Sequence, residues 1–95
     1  IPTDGSKEDV VPMAMGAALK LRRVVHNVRH VLAIELLCGA RGIDLRAPLR
    51  PARAVGETHA AVRALVPPLD GDRPPSPDVR RLADAIAAGR LVPAA

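Results

Sequence analysis

Between Pro12 and Arg41, apolar residues recur at three- and four-residue steps: Met13, Ala17, Leu21, Val24, Val28 and the Val31–Leu32 pair. That period predicts an α-helix over 12–41. Pro12 stands at its very start and no other proline follows until Pro48. At 1.5 Å of rise per residue, such a helix is a rod about 45 Å long, out of proportion to a chain of 95 residues. Its first half is amphipathic, with Lys20, Arg23, Asn27 and His30 along one polar stripe and Arg22, His26 and Arg29 flanking it. From Val31 to Ala40 the chain is apolar nearly all round, and Glu35 is the only charge. A helix without a polar face is one surrounded by protein, and the remainder of this chain is too short to surround it. Each Leu, Val or Ile left wet forfeits about 1.5–3 kcal/mol. The pattern therefore predicts partners.

Residues 1–11 read as an approach loop, because Pro2, Thr3, Asp4, Gly5 and Ser6 are turn formers. Two residues compete to cap the long helix. Ser6 with Asp9 resembles a capping box, but a start there places Pro12 inside the helix, against the carbonyl four residues back. Asp9 at the N-cap leaves Pro12 in the first turn, where its missing N–H costs nothing, and is preferred. At the other end, Gly42 is placed to close the helix. The segment 42–95 then reads as a connector and closing helices. GIDLRAPLRPARA is extended, and a short helix over Glu57 to Leu65 is stopped by Pro67-Pro68. A proline-rich turn covers 67–76. A last helix starts at Ser76-Pro77, with serine as cap and proline at the first position. It carries the stripe Val79, Leu82, Ala83, Ile86, and Gly89 ends it, leaving RLVPAA as a frayed tail. The fold class is all-α: one long bundle-type helix and two short ones, a fragment of a larger helical-bundle enzyme in one partial domain.

Composition narrows the picture. The chain has no Phe, Trp or Tyr, so its core must come from aliphatic side chains. Its formal charge is +4 and its pI about 10.6. Nucleic acid is nevertheless not expected as a partner, since no aromatic is present for base stacking and no dense Lys/Arg block occurs. No apolar run approaches the ~20 residues of a membrane span, and no signal-peptide pattern is present. A single cysteine, Cys38, fits a reducing, cytoplasmic setting. The start at Ile1 rather than Met points to a piece of something longer.

Chemistry-bearing residues are few. Glu8 and Asp9 are adjacent carboxylates at a helix N-terminus. Capping and compensation of the helix dipole account for both; alternatively one caps while the other faces a pocket. The dipole and Lys7 favour an ionised carboxylate, whereas burial favours a protonated one. His26 and His30 have a zinc-compatible i, i+4 spacing, but no Glu follows His26 as the HExxH pattern requires, so a solvated basic face is expected. His59 has no evident partner. Glu35 is expected in a buried structural ion pair and Cys38 as a small buried hydrophobe. No metal site and no Gly-rich phosphate loop is present.

Several separated motifs resemble a known family. Ile1-Pro2-Thr3, Glu8-Asp9, Met13 and the run NVRHVLAIELLCGARGIDLRAPL (Asn27–Leu49), followed by Val66-Pro67-Pro68, Asp72-Arg73 and Pro77-Asp78-Val79, resemble the C-terminal region of histidine ammonia-lyases, within the aromatic amino-acid ammonia-lyase family. The resemblance spans nearly the whole chain. It implies elimination of ammonia from an aromatic amino acid, giving urocanate when the substrate is histidine. It also implies an autocatalytic methylidene-imidazolone electrophile formed from an internal Ala-Ser-Gly, and a homotetramer whose long helices bundle and whose active sites draw on three subunits. Glu8 is the position that matches an active-site residue of the family. Histidine-type members carry Glu there, whereas phenylalanine- and tyrosine-type members usually carry Gln. Its implied role is imidazole binding or proton transfer. Departures are Lys7 where Gln is usual, Val10 where His is frequent, and Pro12 where Ser is usual.

The chain has no Ala-Ser-Gly and no tyrosine. It is therefore expected to be inactive alone, with the rest of the enzyme and sister subunits as partners. The other reading of the same residues is a stand-alone or remnant helical oligomerisation module without catalysis.

Overall fold

The structure, a computed structural model, describes residues 13–92. Three helices appear in order: α1 (Ala14–Leu45), α2 (Arg53–Leu65) and α3 (Ser76–Ala87). No strand occurs among the described residues. The expected helices are all present, with shifted ends.

Helix α1 is 32 residues long, about 48 Å at 1.5 Å per residue. It opens with Met13 at the cap position and no side chain capping it. Ser6, Asp9 and Pro12, on which the expected cap depended, lie outside the described residues. At the other end α1 does not stop at Gly42 but runs on to Leu45. A glycine inside a helix costs about 1 kcal/mol relative to alanine. Continuing the helix carries Ile43 and Asp44 onto the side that meets α2, and that tertiary gain overrides the local stop signal.

Helix α2 begins at Arg53, earlier than Glu57. The added turn is tied by an exposed Arg53–Glu57 pair at 3.2 Å, one helical turn apart and worth a few tenths of a kcal/mol, and by Thr58 Oγ1 donating to the Ala54 carbonyl at 3.2 Å. Ala52 provides no side-chain cap, so no sequence signal marks this start. Pro75, not Ser76, holds the cap position of α3, and its carbonyl accepts from the Val79 N–H at 3.0 Å. Gly89 ends α3 as expected, in the left-handed region at φ 70°. Its N–H bonds the Ile86 carbonyl while that of Arg90 bonds Ala85, both at 3.0 Å. This crossed pair satisfies the last carbonyls of the helix.

The core lies where the C-terminal half of α1 meets α3 and α2. Ala33 and Ala40, two turns apart on α1, are buried against Val62, Val66, Leu82, Ala83, Ala85 and Leu91. Leu82 is wholly enclosed, as are Val62 and Val66. Leu91 is buried on the core, folded back by the turn after Gly89, so the expected frayed tail does not begin at residue 90; residues 93–95 lie outside the described residues. The N-terminal half of α1 reaches away from this cluster, and the molecule extends 66 × 34 × 19 Å.

Because Leu82 is the largest enclosed side chain and α3 has no other bulky buried residue, Leu82→Ala should destabilise the intact protein by about 2–5 kcal/mol, read by thermal unfolding. Arg80→Ala, on the exposed side of α3, should stay within about 0.5 kcal/mol. Equal effects would show that α3 is not held by this core.

Candidate functional site

Two clusters of polar side chains organise the described residues, and both fall on the motifs that carry the family resemblance. The first is built on Asp44, in the last turn of α1. Its Oδ1 accepts from Nε2 of His59 at 2.7 Å, and its Oδ2 from Nε of Arg63 at 3.0 Å, with Nη2 of Arg63 on the same oxygen. His59 and Arg63 are one turn apart on α2, so a single carboxylate grips two successive turns of that helix. The third guanidinium nitrogen of Arg63 donates to the Val66 carbonyl at 3.2 Å, closing the helix end. Burial tends to raise the Asp44 pKa. The hydrogen bonds from Arg63 and His59, together with their charge, outweigh it and hold the carboxyl below the ordinary carboxylate value of 3.8. His59, for which no partner was apparent in the sequence, is thus committed to Asp44. The signal was spacing across two helices, which cannot be seen before the helices are docked.

The second cluster joins the proline-rich turn to α3. Arg73 donates from Nε to Asp78 Oδ2 at 2.9 Å and from Nη2 to the Pro67 carbonyl at 2.7 Å. Asp78 is buried, at 8 % exposure, in the first turn of α3, where a negative charge also meets the positive end of the helix dipole. Arg81 on α3 donates to the Leu65 carbonyl at 3.0 Å. The Val-Pro-Pro, Asp-Arg and Pro-Asp motifs are therefore parts of one clamp.

Between α1 and α2 lies an open apolar groove of about 540 Å³, walled by Leu32, Leu36, Ile43, Val55 and Val62, with Glu35 and His59 at its polar edges. Two expectations are corrected here. Glu35 is exposed and forms no ion pair among the described residues, and Cys38 is exposed rather than buried. Cys38 lies on the side of α1 that the other helices of this chain do not cover, and Glu35 stands where that side meets the groove. His26 and His30 stack at 4.4 Å between ring centroids, and the His26 carbonyl lies 2.9 Å from Nδ1 of His30. No group of side chains able to hold a metal occurs among the described residues.

These arrangements are anchors, not a reaction centre. A carboxylate already receiving an arginine and a histidine is a poor base, and both clusters face helix junctions. The expected site residue, Glu8, lies outside the described residues, with its neighbours Lys7, Asp9 and Val10. No described helix is long and apolar enough to cross a membrane.

Comparison with known proteins is specific. The family model for aromatic amino acid lyases matches residues 1–64. Histidine ammonia-lyase of Anaeromyxobacter sp. (strain K) is 50% identical over 91 residues, 96% of this chain and 18% of that protein. The enzymes of the same name from Sorangium cellulosum (strain So ce56) and Koribacter versatilis (strain Ellin345) are 46% and 45% identical, over 99% and 100% of the chain. The chain thus spans under a fifth of the length of these curated relatives. No solved structure matches.

The depressed Asp44 pKa sets a pH dependence. A carboxyl lowered in the folded state stabilises above its unfolded value, and that contribution is lost as pH falls through the folded value. Thermal stability of the intact protein should therefore fall as pH is lowered from about 5, and Asp44→Asn should be less stable at neutral pH and lose part of that acid slope. Identical acid profiles for the two proteins would remove Asp44 as a contributor.

Proposed function

The chain belongs to the aromatic amino acid lyase family, and on that premise we propose that it is the C-terminal part of an ammonia-lyase acting on L-histidine, yielding urocanate and ammonia. The observation that carries this reading is the 45–50% identity to histidine ammonia-lyases across nearly the whole chain. The Glu8-Asp9 pair, with the Glu of histidine-type members, supports the choice of substrate. The chain would contribute the long helix, the closing helices and one active-site residue.

The chain's own residues do not form the methylidene-imidazolone used by the family, since no Ala-Ser-Gly is present. That group supplies the electrophile that makes the amino group a leaving group, and it would come from another part of the enzyme. What this chain offers is Glu8. As a carboxylate it can accept a hydrogen bond from the imidazole N–H of a histidine substrate, or take up the proton released in elimination. The neighbouring positive charge of Lys7 favours ionised Glu8, the form that either role requires.

The enzyme is proposed to be cytoplasmic and to assemble as a homotetramer, with the long helix in a bundle. The anchors at Asp44 and Arg73 support this, because they rigidify the junctions and leave the outer side of α1 for other chain segments.

In the full-length enzyme, Glu8→Gln keeps shape and removes the charge. It should lower histidine turnover roughly 100-fold or more if Glu8 exchanges the proton, followed by urocanate absorbance; an unchanged rate would return Glu8 to a capping role. The 95-residue chain alone should release no urocanate, and detectable product would refute its dependence on the rest of the enzyme.

A further inference from the structure

The C-terminal half of α1, the end of α2, the proline-rich turn and the first turn of α3 frame a second concavity of about 220 Å³, which shares no lining residue with the apolar groove. Leu37 and Arg41, one turn apart, come from α1, and Leu69 and Asp72 from the turn. Pro67 and Pro75 extend the apolar lining. Five charged groups border the space: Arg41, Arg63, Asp72, Arg73 and Asp78. Three of them are committed within the fold. Arg63 serves Asp44 and the Val66 carbonyl, and Arg73 binds Asp78 and the carbonyls of Pro67 and Pro68. Arg41 and Asp72 are exposed and form no ion pair among the described residues, with each other or with a third group.

Single exposed charges are common on any protein surface. These two differ in opening onto one concave site, with opposite signs and an apolar lining. A guanidinium offers a fork of N–H donors that matches a carboxylate in two parallel bonds, and a carboxylate accepts from an ammonium. A simple anion would satisfy Arg41 and meet Asp72 as a like charge. A simple cation would satisfy Asp72 beside three arginines. A ligand that answers both groups carries a carboxylate and an ammonium close together, and its remaining part is apolar to lie against Leu37, Leu69 and the prolines. A volume below the ~300 Å³ at which pockets for drug-sized molecules begin restricts it to a small molecule. We propose that this concavity binds a small aliphatic α-amino acid, with its carboxylate on Arg41 and its ammonium on Asp72. The site goes beyond the ammonia-lyase reading and uses no residue of the Glu8-Asp9 motif.

Calorimetric titration of the full-length enzyme with L-valine tests it. Saturable binding is expected. It should weaken about tenfold or more when the ligand is 3-methylbutanoate, which lacks the ammonium, or isobutylamine, which lacks the carboxylate. A loss of the same size is expected for L-valine in Arg41→Gln and in Asp72→Asn. Both side chains are exposed, so the enzyme should still fold, and either substitution is decisive alone should the other prevent folding. No saturable heat up to about 10 mM, well above a millimolar Kd, overturns the proposal. So does L-valine binding that persists unchanged in the variants, which would place the ligand elsewhere in the enzyme. Failure of the ammonia-lyase reading shows separately, as absent urocanate in an enzyme that still binds L-valine through Arg41 and Asp72.

Discussion

Close approach of α3 to α1 at Ala33 and Ala40 is the contact on which the remaining packing depends. A chain without aromatic residues cannot fill a wide interhelical space, so its helices must come near each other. Alanines two turns apart on α1 allow this, and Leu82 fills the space that remains between α1, α2 and α3. Val62 and Val66 from α2, and Leu91 from the turn after α3, complete a core of small and medium side chains. That core covers one side of one half of α1 and leaves the rest of the rod bare.

Electrostatic anchors then fix what hydrophobic contact leaves free to slide. Asp44 holds two turns of α2, and Arg73 holds both the proline-rich turn and the first turn of α3. Each anchor is partly enclosed, where a charged hydrogen bond contributes more than on an open surface. Both use residues of the family motifs. The GIDLR and VPP…DR…PD signatures therefore read, in physical terms, as requirements for joining helices.

Two faces of α1 have different tasks. Toward Ala33 and Ala40 it builds the fold of this chain. Along the same side nearer its N-terminus it carries Arg22, Arg23, His26, Arg29 and His30. The opposite side is largely apolar, interrupted by Lys20 and Glu35. The all-round apolar character of Val31–Ala40 thus divides into an inner side satisfied within the chain and an outer side exposed within it.

Helical periodicity, Gly89 as a terminator and the stripe Val79, Leu82, Ala83, Ile86 were legible from residue order, because they depend on neighbours within a turn or two. The motifs identified the family for the same reason: they are linear. The extension of α1 through Gly42, the earlier start of α2, the burial of Leu91 and the pairing of His59 with Asp44 were not legible. Apart from the start of α2, which no cap residue marks, these follow from residues distant in the chain meeting in space, and local propensities of about 1 kcal/mol yield to such contacts. The exposure of Glu35 and Cys38 belongs with these. Sequence alone established that the segment needs surrounding protein; only the tertiary structure decided which side this chain covers, because α3 can occupy just one face of the rod.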